Sequence, residues 1–213
     1  EELATFMLQL QNMGCHNINL VTPTHVMPQI LKALKLAIPK GLRIPIVYNT
    51  GGYEYLKMIK LLEAIVDIYL ADMRYADNDV AVKYSLAADY PKFNQAALKE
   101  MHRQVGVARI DNAGIIRKGV IIRHLVLPNN ISGTDKIMKF IKEALCQDTY
   151  ISLMSQYFPC YKANQSQEIS RRITEQEYGD ALATMEKHGL YNGWTQEGRG
   201  LERFAGTNIK PSG

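Results

Sequence analysis

The 213-residue chain is informative first through what it has little of. Its three cysteines, Cys15, Cys146 and Cys160, are odd in number and widely spaced, which argues against a disulfide framework and for a reducing, cytoplasmic setting. Nothing beside them completes a metal-ligand pattern, so each reads as a free, buried and inert side chain. No apolar run approaches the ~20 residues needed to span a bilayer. The opening Glu1-Glu2-Leu3-Ala4-Thr5-Phe6 has the character of neither a signal nor a transit peptide. Glu1 stands where an initiator Met would, which suggests a fragment or a trimmed chain. Blocks of like charge are absent, and the net charge of +4 is spread along the chain. A mildly basic protein of this kind can favour anionic ligands, but the charge gives no argument for nucleic acid. Common catalytic signatures are missing as well. Thr50-Gly51-Gly52-Tyr53 lacks the other glycines and the Lys of a dinucleotide or phosphate loop, and neither G-x-S-x-G nor HExxH occurs. No Lys ends a strand, which ranks a Schiff-base lyase or aldolase last.

What is present is an alternation of helical and strand patterns with short connections. Leu3, Phe6, Met7 and Leu10 recur at helical spacing before Gly14. A β-like run, His16-Asn17-Ile18-Asn19-Leu20-Val21, stops at Thr22-Pro23, and a helix over Met27–Ala37 follows. Residues 43–48 read as a second strand and 66–70 as a third, with a helix carrying Tyr55, Ile59 and Leu62 between them. Residues 73–89 read as polar and irregular. Phe93, Ala97, Met101 and Val105 mark another helix, and Asp111-Asn112-Ala113-Gly114 a hairpin turn. A strongly β-forming run over 120–127, a helix over 135–145, a strand over 150–154 and a helix carrying Tyr178, Ala181, Leu182 and Met185 complete the pattern. Five strands alternating with helices predict a parallel α/β architecture, either an open sheet or a barrel. Residues 1–190 form the folded unit in this reading, and the polar, Gly-containing stretch 191–213 a tail or lid.

In either architecture ligands bind at the carboxyl ends of the strands. Those ends carry Thr22 and Thr24, then Asn49 with Thr50-Gly51-Gly52, then Asp72 and Arg74, then Arg123 and His124, and finally Gln156 with Tyr157. Hydroxyls, amides, one carboxylate and two guanidiniums on one rim suit a polar ligand bearing hydroxyl and carboxylate groups. Asp72 and Arg74 also have an ordinary reading as a rim salt bridge. Arg123 lies inside an apolar strand, where an unpaired guanidinium is costly, so a ligand or a carboxylate partner is expected. His25 is as well explained by helix capping, and His16, His102 and His188 read as structural or solvated.

Several of these segments, taken in order, carry a resemblance. They are residues 17–25, Pro45-Ile46-Val47-Tyr48-Asn49-Thr50-Gly51-Gly52-Tyr53-Glu54, Asp67-Ile68-Tyr69-Leu70-Ala71-Asp72-Met73-Arg74-Tyr75, Glu100-Met101-His102-Arg103-Gln104-Val105-Gly106 and Arg123-His124-Leu125-Val126-Leu127-Pro128. Together they resemble radical S-adenosylmethionine proteins of the subfamily similar to pyruvate formate-lyase activating enzyme, over about the first 190 residues. The resemblance implies a partial (β/α)6 TIM-like barrel and a [4Fe-4S] cluster that holds S-adenosylmethionine. Reductive cleavage would yield a 5′-deoxyadenosyl radical that abstracts hydrogen from a glycyl radical enzyme or another substrate. It implies an electron donor such as flavodoxin or ferredoxin, and neither nucleic acid nor membrane as partner.

For individual residues, the resemblance sets Thr22 and Thr24 beside the methionine amino group, where the family has a Gly-Gly-Glu turn; no Glu stands there in this sequence. Asp72 and Arg74 take the ribose and carboxylate position, with Arg for the usual Lys. Arg123 meets the methionine carboxylate, while Leu125, Val126 and residues 154–156, Gln156 included, flank the adenine. Asn49 joins the same rim. The family's CxxxCxxC motif, on the loop after the first strand, is absent, so no cluster ligand can be named and the barrel lacks its first strand. A C-terminal fragment of a longer enzyme is therefore expected, rather than a degenerate protein. A non-catalytic module that binds S-adenosylmethionine or a protein partner without a cluster is the alternative.

Overall fold

The computed structural model describes residues 1–196, and among these seven strands form one sheet flanked by seven α-helices. The elements in chain order are α1 (Glu2–Asn12), β1 (Ile18–Val21), α2 (Met27–Ala37), β2 (Ile46–Thr50), α3 (Leu56–Leu61), β3 (Ile68–Asp72), α4 (Asn78–Ser85), α5 (Tyr90–Val105), β4 (Arg109–Ile110), β5 (Ile116–Leu125), α6 (Thr134–Phe140), β6 (Tyr150–Met154), α7 (Glu175–Lys187) and β7 (Gly193–Trp194). The strands lie in the order β1-β2-β3-β5-β6-β7, all parallel, with β4 hairpinned antiparallel onto β5. The order follows the chain without reversal, and no pairing between β1 and β7 closes the sheet among the described residues.

Local chemistry explains the elements. α2 has Pro28 in its first turn, where the missing N–H costs nothing, and buries Met27, Ile30, Ala33, Leu34 and Ala37 on one stripe. α7 opens on a capping box, in which Thr174 accepts from the Glu177 amide and Glu177 accepts from the Thr174 amide. β5 is rich in β-branched residues and carries the longest alternation.

Cross-strand register gives the sheet two unlike faces. One bears Ile18, Ile46, Tyr48, Tyr69, Ala71, Val120, Ile122, Ile151 and Leu153, all buried in a single core with Ala97, Leu98 and Met101 of α5. Right-handed connections in a sequential parallel sheet put every crossover helix on that same side. α1 packs on α2, α3 on α5 and α6 on α7 accordingly. The opposite face carries Asn19, Val21, Asn49, Leu70, Asp72, Arg123 and Ser152, and much of it is half-buried or exposed.

Three sequence expectations change. Residues 73–89 are not irregular throughout, because Asp77 caps α4 by accepting from the amides of Asp79 and Val80. That helix buries only Ala81, which is too narrow a stripe to announce itself in the sequence. The expected hairpin at Asp111-Asn112-Ala113-Gly114 is present, joining β4 to β5, but a further strand, β7, is two residues long and exposed, so no alternation marks it. Residues 191–196, assigned to the tail, include β7, which pairs with β6 at Ile151 and Ser152. The remainder of the tail reading lies outside the described residues. Cys160 is exposed rather than buried, while Cys15 and Cys146 are partly buried. No described helix is long and apolar enough to cross a membrane.

Candidate functional site

The centre of the site follows from register. Asp72, the last residue of β3, pairs with Arg123 of β5, so both side chains leave the same face at the carboxyl edge. Arg123 donates through Nε to Asp72 Oδ1 at 2.7 Å and through Nη2 to Asn49 Oδ1 at 2.9 Å, reaching over β3 to β2. Arg74 holds the other carboxylate oxygen, donating to Asp72 Oδ2 from Nε at 3.1 Å and from Nη2 at 2.7 Å. The Asp72 side chain is buried, 8 % exposed, whereas those of Arg74 and Arg123 are 53 % and 27 % exposed. Two guanidiniums against one carboxylate leave a surplus positive charge facing outward. Neither Nη1 group makes a hydrogen bond among the described residues, so donors remain for an anion.

Helix α5 fixes this arrangement. The Tyr90 hydroxyl donates to the Gly51 carbonyl at 3.0 Å and the Asp72 carbonyl at 3.3 Å, and accepts from the Arg74 amide at 3.1 Å. Burial raises its pKa far above the usual phenol range, so the hydroxyl stays a donor. Asn94 donates to the carbonyls of Gly52 at 3.1 Å and Asp72 at 2.9 Å. The turn after β2 is thereby bolted to the end of β3. Gly52 is required there: its φ is +78°, and a Cβ would lie 2.2 Å from both Asn94 Nδ2 and the Asp72 carbonyl oxygen.

On the buried side, His124 ties the next residue in place. Its Nδ1 bonds the Met73 carbonyl at 2.9 Å and its Nε2 meets Thr134 Oγ1 at 3.1 Å. Full burial lowers its pKa to about 4, so the ring is neutral at physiological pH.

A cavity of about 380 Å³ opens over the charged cluster, lined by Asp72, Arg74, Arg123, Leu125, Met154 and Gln156 together with Tyr75, Leu127 and Tyr157. Its volume lies in the range of small-molecule sites, and its walls combine an apolar side with one convergent charged group. The loop after β6 meets α4 beside it, where Lys83 and Tyr84 both donate to Glu168. Tyr157 donates to the Ile169 carbonyl at 2.8 Å.

Of the seven residues singled out from the sequence, Asp72, Arg74, Arg123 and Gln156 line this one cavity, and Asn49 holds Arg123 from beneath. Thr22 and Thr24 belong elsewhere. Thr22 is exposed in the left-handed region, φ 50°, with no side-chain cap to the helical turn that follows. Thr24 bonds the Tyr48 hydroxyl and donates to Glu54 Oε1, both at 2.8 Å, and Thr50 donates to the same oxygen at 2.5 Å. Tyr48 and Thr50 stand on the helix-covered face, so this network lies across the sheet from Arg123. Val126 is also displaced from the expected wall: it is 2 % exposed and turned into the core, whereas Leu125 and Leu127 line the cavity. Tyr157 was named with Gln156 at its strand end, whereas sequence reasoning missed Tyr75, Leu127 and Glu54. The first two directly adjoin named residues. The third sits four positions beyond a strand end, with no signal other than the Thr50-to-Glu54 spacing.

No family model matches the chain. It is similar to the uncharacterized protein MJ0674 of Methanocaldococcus jannaschii, with 33 % identity over 180 residues that make up 82 % of this chain and 47 % of that protein. The chain thus spans about half the length of the curated relative it matches.

Proposed function

We propose that this chain supplies the S-adenosylmethionine-binding part of a radical S-adenosylmethionine protein similar to pyruvate formate-lyase activating enzyme, on a partial (β/α)6 barrel. The observation that carries the reading is the Asp72 carboxylate gripped by Arg74 and Arg123 at the floor of a cavity with an apolar wall. Sequential strand order supports a barrel arc, because a doubly wound sheet reverses its order at a switch point and this one does not. In this reading the free donors of Arg74 and Arg123 bind the ligand's carboxylate, and Asp72 holds both guanidiniums and accepts from ribose hydroxyls. Leu125 and Met154 cover the adenine face, with Gln156 at its edge. Tyr90 and Asn94 keep the strand ends from shifting.

The residues present do not fit the cluster. Cys15, Cys146 and Cys160 are dispersed, and no three His, Cys, Asp or Glu side chains gather at metal-holding range among the described residues. In the family, cleavage of the bound S-adenosylmethionine supplies a 5′-deoxyadenosyl radical, and the described residues of this chain would bind and orient the nucleotide. Cluster ligands, an electron donor of the flavodoxin or ferredoxin type and a glycyl radical enzyme or other protein substrate belong to the whole protein in this proposal, with a cytoplasmic setting. The scattered cysteines favour a second reading, a non-catalytic S-adenosylmethionine- or partner-binding module.

Calorimetric titration of the chain with S-adenosylmethionine tests both readings. Saturable binding that Arg123→Ala abolishes is expected, with adenosine alone binding more weakly because it lacks the carboxylate. Absence of binding, or binding indifferent to Arg123→Ala, would overturn the assignment of the pocket. Iron incorporation into an upstream-extended chain then separates the enzyme from the cluster-free module.

A further inference from the structure

Glu54 is a buried carboxylate without a countercharge. It is 6 % exposed, forms no ion pair among the described residues, and has only neutral hydroxyls as side-chain partners there, Thr24 and Thr50 donating to it and Tyr48 beside it. The threonine hydroxyls both donate to Oε1. A carboxylate held this way is incomplete without a cation or a strong donor.

Glu54 also lines a second cavity, of about 70 Å³, whose remaining walls are Tyr53, Tyr55 and Phe93. The rings are arranged around Phe93, with centroids 5.6 Å away for Tyr53 and 5.5 Å for Tyr55. Tyr53 is fixed by donating its hydroxyl to the Ala88 carbonyl at 2.5 Å. Tyr55 contributes nothing to the core, being 72 % exposed. Three aromatic rings beside one carboxylate are the components of a cation-binding cage.

We infer that this cavity binds a small methylated ammonium group, with the Glu54 carboxylate supplying the countercharge and Tyr53, Tyr55 and Phe93 the aromatic contacts. The lining favours the methylated form. A primary ammonium presents three N–H donors that each need an acceptor, whereas three of the four residues that line the cavity are aromatic. The volume admits a head group of a few heavy atoms, well below a drug-sized ligand. The site is independent of the proposed nucleotide pocket, since it shares none of that cavity's lining residues.

The test titrates the 213-residue chain with choline, with its uncharged isostere 3,3-dimethylbutan-1-ol and with ammonium chloride, read by ligand-observed NMR and calorimetry. Choline is expected to saturate in the millimolar range, with neither comparator binding measurably. Tyr55→Ala, at an exposed position that folding does not depend on, should weaken choline about fivefold, the worth of one partly exposed cation–π contact. Glu54→Gln should weaken it further. Equal binding of the isostere would make the cavity merely apolar and overturn the inference. So would choline binding unchanged in Tyr55→Ala, or no saturable choline binding at all.

Discussion

His124 makes acid stability a direct probe of the strand-end scaffold. The ring is fully buried and its pKa falls to about 4 from the usual 6.5, because burial disfavours the charged form. The folded state therefore prefers the neutral ring. The associated stability is complete above pH 6.5 and is lost as pH falls from 6.5 towards 4, since the unfolded chain takes up the proton first. The gap corresponds to about 3 kcal/mol in full. Between about pH 7 and about pH 4.5, roughly 2.5 kcal/mol of it disappears. At a urea m-value of ~2–3 kcal/mol/M, that is a midpoint lower by about 1 M. Burial also shifts His102 downward, which adds an acid-dependent loss of the same sign, so the contrast needed is with His124→Asn. Its amide can still donate to the Met73 carbonyl but carries no titrating proton. Urea melts of both proteins across this range should show the variant less stable at neutral pH and visibly flatter towards acid. If wild type and His124→Asn lose the same stability between the two pH values, the neutral buried ring is not the origin of the slope.

Other perturbations have equally definite outcomes. Asp72→Ala leaves Arg74 and Arg123 facing one another without their carboxylate, and should cost about 3 kcal/mol by urea denaturation while also weakening S-adenosylmethionine binding. Gly52→Ala should lower stability by about 3 kcal/mol, since the new Cβ collides with Asn94 and the Asp72 carbonyl at a positive φ; an unchanged melting temperature would refute the bolted-turn account. Glu177 has its pKa lowered to about 2 from 4.5 by hydrogen bonding to Arg171, so its contribution is present above pH 4.5 and fades below it. Glu177→Gln should therefore flatten the stability profile below pH 4.5 and leave the interval above it unchanged.

How far the sequence announced this molecule depends on the residue. The bounds of α2 were readable because five apolar positions fall on one stripe behind a proline. The strand ends were readable because parallel architecture fixes where ligands go. α4 was hidden because its buried stripe is a single alanine, and β7 because two exposed residues carry no alternation. Asp72 and Arg123 were each singled out separately. That they grip one another depends on the β3–β5 register, which a one-residue slip would undo by turning either side chain to the other face. Thr24 was placed with the ligand because strand ends share a rim. In the structure it serves Glu54 instead, through a contact set by how the segment after β1 meets the loop after β2.

The unclosed sheet bears on how copies of this molecule would associate. Ile18 and Thr22 donate to Pro45 and Asn49 beside them, so the alternate residues Asn19 and Val21 turn their backbone groups outward along β1. Val21 is 67 % exposed there, and Phe6 and Met13 of the adjoining helical segment are 58 % and 77 % exposed. Two β1 edges can meet only antiparallel about a two-fold axis, a contact that uses up both edges and halts at a dimer. Joining β1 to β7 of another copy would instead be head-to-tail and would propagate, but β7 offers two residues of ladder against four. Among the described residues the unequal edges thus favour a closed pair of isolated chains over an open filament, and the additional strand that the proposed barrel would lay against β1 would cover that edge and remove the pairing.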